Sequence, residues 1–200
     1  MQTILASWPF VCWGLNMIGL FKLVSRGFCW VYVCIDKFSK WIEYNLLVQA
    51  TAKKAVVLLD DIIHRFGLPN SIITDLGSTF SSVDFWDFYD ERCLSVKYIL
   101  VMQPRANGQV ERANGMILDV LKKRFYKNEQ KHPDKWLKEL PAVVWGLRTQ
   151  PSRTTSVSPY FMVFGSEAIL LADIAFQAPK VENYNKENSD QVQLIELDSL

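Results

Sequence analysis

The sequence predicts an α/β fold: a mixed five-stranded sheet covered by helices. Three observations carry this. Short runs rich in β-branched and aromatic residues fill the first fifty positions, as strands require. A 3.6-residue apolar period then separates the third such run from a fourth, so those strands are joined through a helix, and the fourth is expected to lie parallel within the sheet. Beyond it the pattern alternates once more and ends in helical periods, the order expected when helices cover a sheet.

The elements follow in turn. Trp13 to Ile18 and Phe28 to Ile35 read as paired strands, with turn chemistry from Lys22, Ser25, Arg26 and Gly27 between them. Trp41 to Val48 is the third strand, entered through the polar turn Asp36 to Lys40. Thr51 caps a helix whose apolar positions are Ala55, Leu59, Ile62, Ile63 and Phe66, and Gly67 with Pro69 ends it. Ile72 to Asp75 is the fourth strand. Val83 to Cys93 reads as a short amphipathic helix and Val96 to Leu100 as the fifth strand. Val110, Ala113, Ile117, Val120, Leu121 and Phe125 place a helix over Ala106 to Phe125, and Trp136 to Leu147 gives another, expected to be interrupted at Pro141. Residues 1–7 form a lead-in, 8–175 one domain, and 176–200 a polar, acidic linker or the start of a further segment.

With 200 residues, half of them hydrophobic, the chain can bury a sizeable core. Cys12, Cys29, Cys34 and Cys93 show no CxxC spacing and sit in apolar surroundings, so buried free thiols in a reducing compartment are expected. His64 and His132, the two histidines, lie near no cysteine pair, which excludes a His/Cys zinc finger. The formal net charge is +1, but the charge is unevenly placed. Leu121 to Lys135 carries Lys122, Lys123, Arg124, Lys127, Lys131 and Lys135 against Glu129 and Asp134, whereas the last nineteen residues are acidic. Ile4 to Phe21 is apolar, but it lacks a basic leader and contains Ser7, Pro9 and Asn16; a buried strand with an aromatic lead-in fits it better than a membrane or targeting segment.

Two acids stand in readable contexts. Asp75 ends the apolar run Ser71-Ile72-Ile73-Thr74, and Glu111 falls one turn into the helix announced by Pro104-Arg105-Ala106-Asn107-Gly108-Gln109-Val110, with 35 residues between the two acids. Carboxylates on separate elements can converge on a divalent cation that drives phosphoryl transfer, because hard Mg²⁺ takes carboxylate oxygens and leaves positions open for phosphate and water. The plainer reading makes Asp75 a turn-capping residue and Glu111 a solvated acid favoured by the helix dipole.

Around these acids the chain resembles the integrase catalytic core of LTR retrotransposons, gypsy type, and of retroviruses, within the ribonuclease H-like superfamily. The resemblance runs from about Trp8 to Asp173. It is carried by Trp8-Pro9-Phe10 with Trp13-Gly14-Leu15, Asp36-Lys37-Phe38-Ser39-Lys40-Trp41, Arg65-Phe66-Gly67-Leu68-Pro69, Thr74-Asp75-Leu76-Gly77-Ser78-Thr79-Phe80, the segment from Pro104 to Glu111, Trp145-Gly146-Leu147-Arg148-Thr149 and Met162-Val163-Phe164-Gly165. It implies a ribonuclease H-like fold and DNA integration, in which three acids hold two Mg²⁺ (or Mn²⁺) ions for 3′-end processing and strand transfer. By position Asp75 and Glu111 match the second and third acids and would be the metal ligands. The first falls in the strand after Trp-Gly-Leu, where this chain has Asn16.

An amide oxygen can ligate a metal but brings no charge, so the sequence predicts a degenerate site and a severely weakened or inactive enzyme, a pseudoenzyme. Asp36 is a weak candidate for a substitute acid; a turn or cap role suits it better. Leu76, Gln103 and Leu20 also depart from the family pattern, and Gly115 stands where many relatives carry a basic residue, at a helix cost of about 1 kcal/mol against alanine.

For nucleic acid, Asn107 and Gln109 in the segment before Glu111, Asn114 one turn after it, and Lys122 and Lys123 are the candidate contacts; connector and solvated-face roles are the plainer alternatives. Trp136, Trp145 and Phe161 read as core or subunit-interface anchors rather than base-stacking platforms. The expected partners are DNA, both element ends and target, and a second copy in a homodimer, with no membrane. The expected location is nuclear or cytoplasmic, as part of a retroelement polyprotein. A noncatalytic nucleic-acid-binding or dimerising remnant is the alternative function.

Overall fold

A computed structural model describes residues 8–19, 26–74, 82–98, 119, 123, 135–152 and 155–176. The chain divides into two compact units, 1–165 and 166–200. In the first, five strands form one sheet: β1 (Cys12–Gly19), β2 (Trp30–Asp36), β3 (Ile42–Leu47), β4 (Ser71–Thr74) and β5 (Ser95–Tyr98), in the order β3-β2-β1-β4-β5. The first three form an antiparallel meander, and β4 pairs parallel with β1 and with β5. This is the mixed five-stranded sheet expected from the sequence. It places the C-terminal end of β4 beside the middle of β1, at Leu15.

The β3-to-β4 crossover is helix α1 (Ala52–Phe66), and its ends form for the reasons read in the sequence. Thr51 is extended, its side chain accepts from the Lys54 N–H, and Gly67 closes the last turn at φ 86° with its N–H on the Ile63 carbonyl. Helix α2 (Val83–Glu91) joins β4 to β5. The pleat sends alternate residues to opposite faces. Trp13, Leu15, Tyr32, Cys34 and Ile72 pack with Leu58, Leu59 and Ile62 of α1 and Phe85, Phe88 and Tyr89 of α2. On the other face Ile18, Val31, Val33, Ile35 and Ile42 pack with Trp136, Leu140, Val143 and Val144 of α3 (Lys135–Thr149). An aromatic lead-in precedes β1 as expected: Phe10 stacks on Phe66 with centroids 4.6 Å apart and on Trp13 at 6.0 Å. Gly19 ends β1 at φ +146°, where any Cβ would collide with the Trp30 ring and come within 2.8 Å of the Cys29 carbonyl oxygen.

Helix α4 (Pro159–Phe164) closes this unit, capped by Ser158, whose side chain accepts from Phe161 N–H. Within the second unit the short helix α5 (Leu171–Ala175) is described, with Asp173 accepting from Leu170 N–H at 2.7 Å.

Two expectations need correction. Helix α3 is not interrupted at Pro141 but runs through it. Pro141 is on the exposed side, so the backbone bond its missing N–H forfeits is lost where water can replace it, and the buried residues on the other face hold the helix in register. Cys12, Cys29 and Cys34 are buried free thiols as expected, but Cys93 is exposed: α2 ends at Glu91, and Cys93 sits in the following turn at φ 51°. The expected helix over Ala106 to Phe125 lies outside the described residues except for Asp119 and Lys123, both helical and exposed.

Candidate active site

Asn16 is partly buried in the second half of β1, three residues before the strand ends at Gly19. Its antiparallel partner is Val33, and it follows Leu15, which pairs with Thr74 in the last described β1–β4 step. Asp75 comes directly after Thr74 in the chain. By the pleat, Asn16 shares the sheet face of Ile18, the face that α3 covers. Among the described residues its amide makes no hydrogen bond. Of the other sequence-predicted site residues, Asp75, Glu111, Asn107, Gln109, Asn114 and Lys122 lie outside the described residues, and Lys123 is an exposed helical residue. Among the described residues no three of His, Cys, Asp and Glu are grouped to hold a metal ion.

Asp36 is placed clearly, away from this region. It pairs with Trp13, three residues up β1 from Asn16, a rise of about 10 Å. It is fully buried, and its carboxylate accepts from Ser39 N–H at 2.8 Å, Ser39 Oγ at 2.6 Å and Phe10 N–H at 3.1 Å. Both oxygens are engaged in holding the β2–β3 turn and the lead-in to β1, so the turn role expected from the sequence is the one observed. Burial pushes its pKa above the usual carboxylate value, with the Ser39 and Phe10 bonds opposing.

Two features went unread in the sequence. Thr74 is buried at the end of β4, and its hydroxyl has no hydrogen-bond partner among the described residues. Glu43 is a buried hub: its Oε1 accepts from Trp41 Nε1 at 2.8 Å and Arg148 Nη2 at 3.2 Å, its Oε2 from Arg65 Nη1 at 2.8 Å. The Arg148 guanidinium also lies over the Trp41 ring, 4.2 Å from its centroid. Arg65 belongs to α1 and Arg148 to α3, so Glu43 links helices from opposite faces around the sheet edge. Of the three aromatic anchors, Trp136 is core, whereas Trp145 and Phe161 are 44% and 40% exposed.

Comparison with known proteins adds the following. Residues 9–104 match the integrase core domain family. The chain is 34% identical over 135 residues to the Gag-Pol polyprotein of Walleye dermal sarcoma virus, 66% of this chain and 7% of that one. It is 28% identical over 156 residues to the Gypsy retrotransposon integrase-like protein 1 of Rattus norvegicus, 78% of this chain and 29% of that one. It therefore spans under a third of the length of these relatives. Among solved structures, the catalytic core domain of BIV integrase superposes with a TM-score of 0.54 at 16% identity, covering 76% of this chain and 91% of that one. The HTLV-2 integrase catalytic core domain in complex with magnesium gives 0.55 at 20% identity, covering 78% and 97%. These likenesses show a shared fold, the ribonuclease H-like architecture of integrase catalytic cores. No helix among the described residues is long and apolar enough to cross a membrane.

Proposed function

We propose that this chain, which matches the integrase core domain family over residues 9–104, is a retroelement integrase core acting in DNA integration, impaired at its metal centre by Asn16. The observation that carries the reading is the place of Asn16. It stands in the second half of the central strand, one residue past the pairing with Thr74 at the end of β4, and Asp75 is next in sequence to Thr74. A first metal ligand is needed there, and an uncommitted neutral amide occupies it.

Asp75 and Glu111 would hold Mg²⁺ or Mn²⁺, with Asn16 as a third, uncharged oxygen donor. The described donor fits poorly, since two divalent ions need anionic ligands and the amide supplies none. Bound metal would contribute Lewis-acid stabilisation of charge on phosphoryl oxygens. Asn107, Gln109, Asn114, Lys122 and Lys123 are the proposed nucleic-acid contacts, the lysines acting through phosphate charge and counterion release. The proposed domain is 8–175, with 176–200 a linker or a further segment, and the proposed partners are element-end and target DNA and a second copy of the chain. The relatives in Walleye dermal sarcoma virus and Radiation murine leukemia virus are parts of Gag-Pol and Pol polyproteins, which favours a polyprotein origin here and a nuclear or cytoplasmic location.

Calorimetric Mg²⁺ titration beside salt-dependent DNA binding tests the reading. Asp75→Asn and Glu111→Gln are expected to abolish residual metal binding while leaving the salt slope of DNA binding in place. The alternative, a noncatalytic DNA-binding remnant, is favoured if wild type and both variants respond identically to metal.

A further inference from the structure

We draw no further inference here: the strongest candidate, the acidic groove between α1 and α2 lined by Val57, Asp60, Asp61, Asp87, Phe88 and Glu91, is a cluster of carboxylates on an open face, and nothing in the structure shows what occupies it.

Discussion

The β2–β3 turn at the start of strand β1 and the middle of that strand, where β4 ends beside it, differ in how densely their polar groups are paired. Around the β2–β3 turn, level with the start of β1, polar groups are densely paired: Asp36 accepts three hydrogen bonds, Ser39 Oγ also accepts from Trp41 N–H, and Glu43, level with Leu15, gathers a tryptophan and two arginines, while the Trp13 indole N–H has no partner among the described residues. In the second half of β1 Asn16 makes no hydrogen bond among the described residues, and beside it, on the opposite face of the sheet, the buried Thr74 hydroxyl has no partner among them either. Orphaned polar groups cost stability, so a stable fold keeps few of them. The dense network links β2, β3 and two helices; the region of Asn16 and Thr74 carries no such network among the described residues.

Variants can break that contrast, and the largest effect is expected in the densely paired turn. Asp36→Ala leaves three donors without an acceptor inside the protein and should cost about 3 kcal/mol in urea unfolding. A loss under 1 kcal/mol would show that the turn is held otherwise. Glu43→Ala should cost about 2 kcal/mol, less than full burial would suggest, because Arg65 is half exposed and can return to water. Its readout is again urea unfolding, and a double-mutant cycle with Arg148→Met should reveal coupling.

The region of Asn16 and Thr74 should respond in the other direction. Thr74→Val replaces an orphaned hydroxyl by a methyl of the same shape, so thermal unfolding is expected to show no loss and a gain of up to about 1 kcal/mol. Asn16→Ala should change stability by no more than about 0.5 kcal/mol.

Acidity sharpens the comparison by a smaller amount. Because burial raises the Asp36 pKa in the folded state, the folded protein binds that proton more readily than the unfolded chain does. The contribution is therefore present below the usual value of 3.8 and is lost as pH rises through the folded pKa. Asp36→Asn is expected to flatten this part of the pH–stability profile in denaturant titrations between those two values.

The sequence disclosed whatever depends on local pattern. The α1 period, its Thr51 cap and the Gly67 stop are all local, as are the strand runs whose order sets the sheet. The pleat and the parallel crossover place Asn16 one residue past the Leu15–Thr74 pair, whereas Asp75 and Glu111 lie outside the described residues. What escaped depends on solvent exposure or on distant partners. Pro141 looked like a break because the pattern does not say that it faces water. Cys93 looked buried because its apolar neighbours conceal a turn. The Glu43 hub was illegible because Arg65 and Arg148 lie 22 and 105 residues away, and nothing local marks a glutamate as shared between two helices. The Asp36 staple sits between these cases: Ser39, three residues on, is a turn signal, but the bond from Phe10 is not.

The central claim is that an uncharged side chain at position 16 disables a site otherwise laid out for metal-assisted DNA joining. Strand-transfer and disintegration assays on element-end DNA with Mg²⁺ or Mn²⁺, comparing wild type with Asn16→Asp, test it most directly. The account predicts joining near background for wild type and a metal-dependent rise of about a hundredfold or more for the variant, the equivalent of about 3 kcal/mol of transition-state stabilisation. A folded, metal-binding Asn16→Asp protein that joins no DNA, or a wild type as active as the variant, would contradict it.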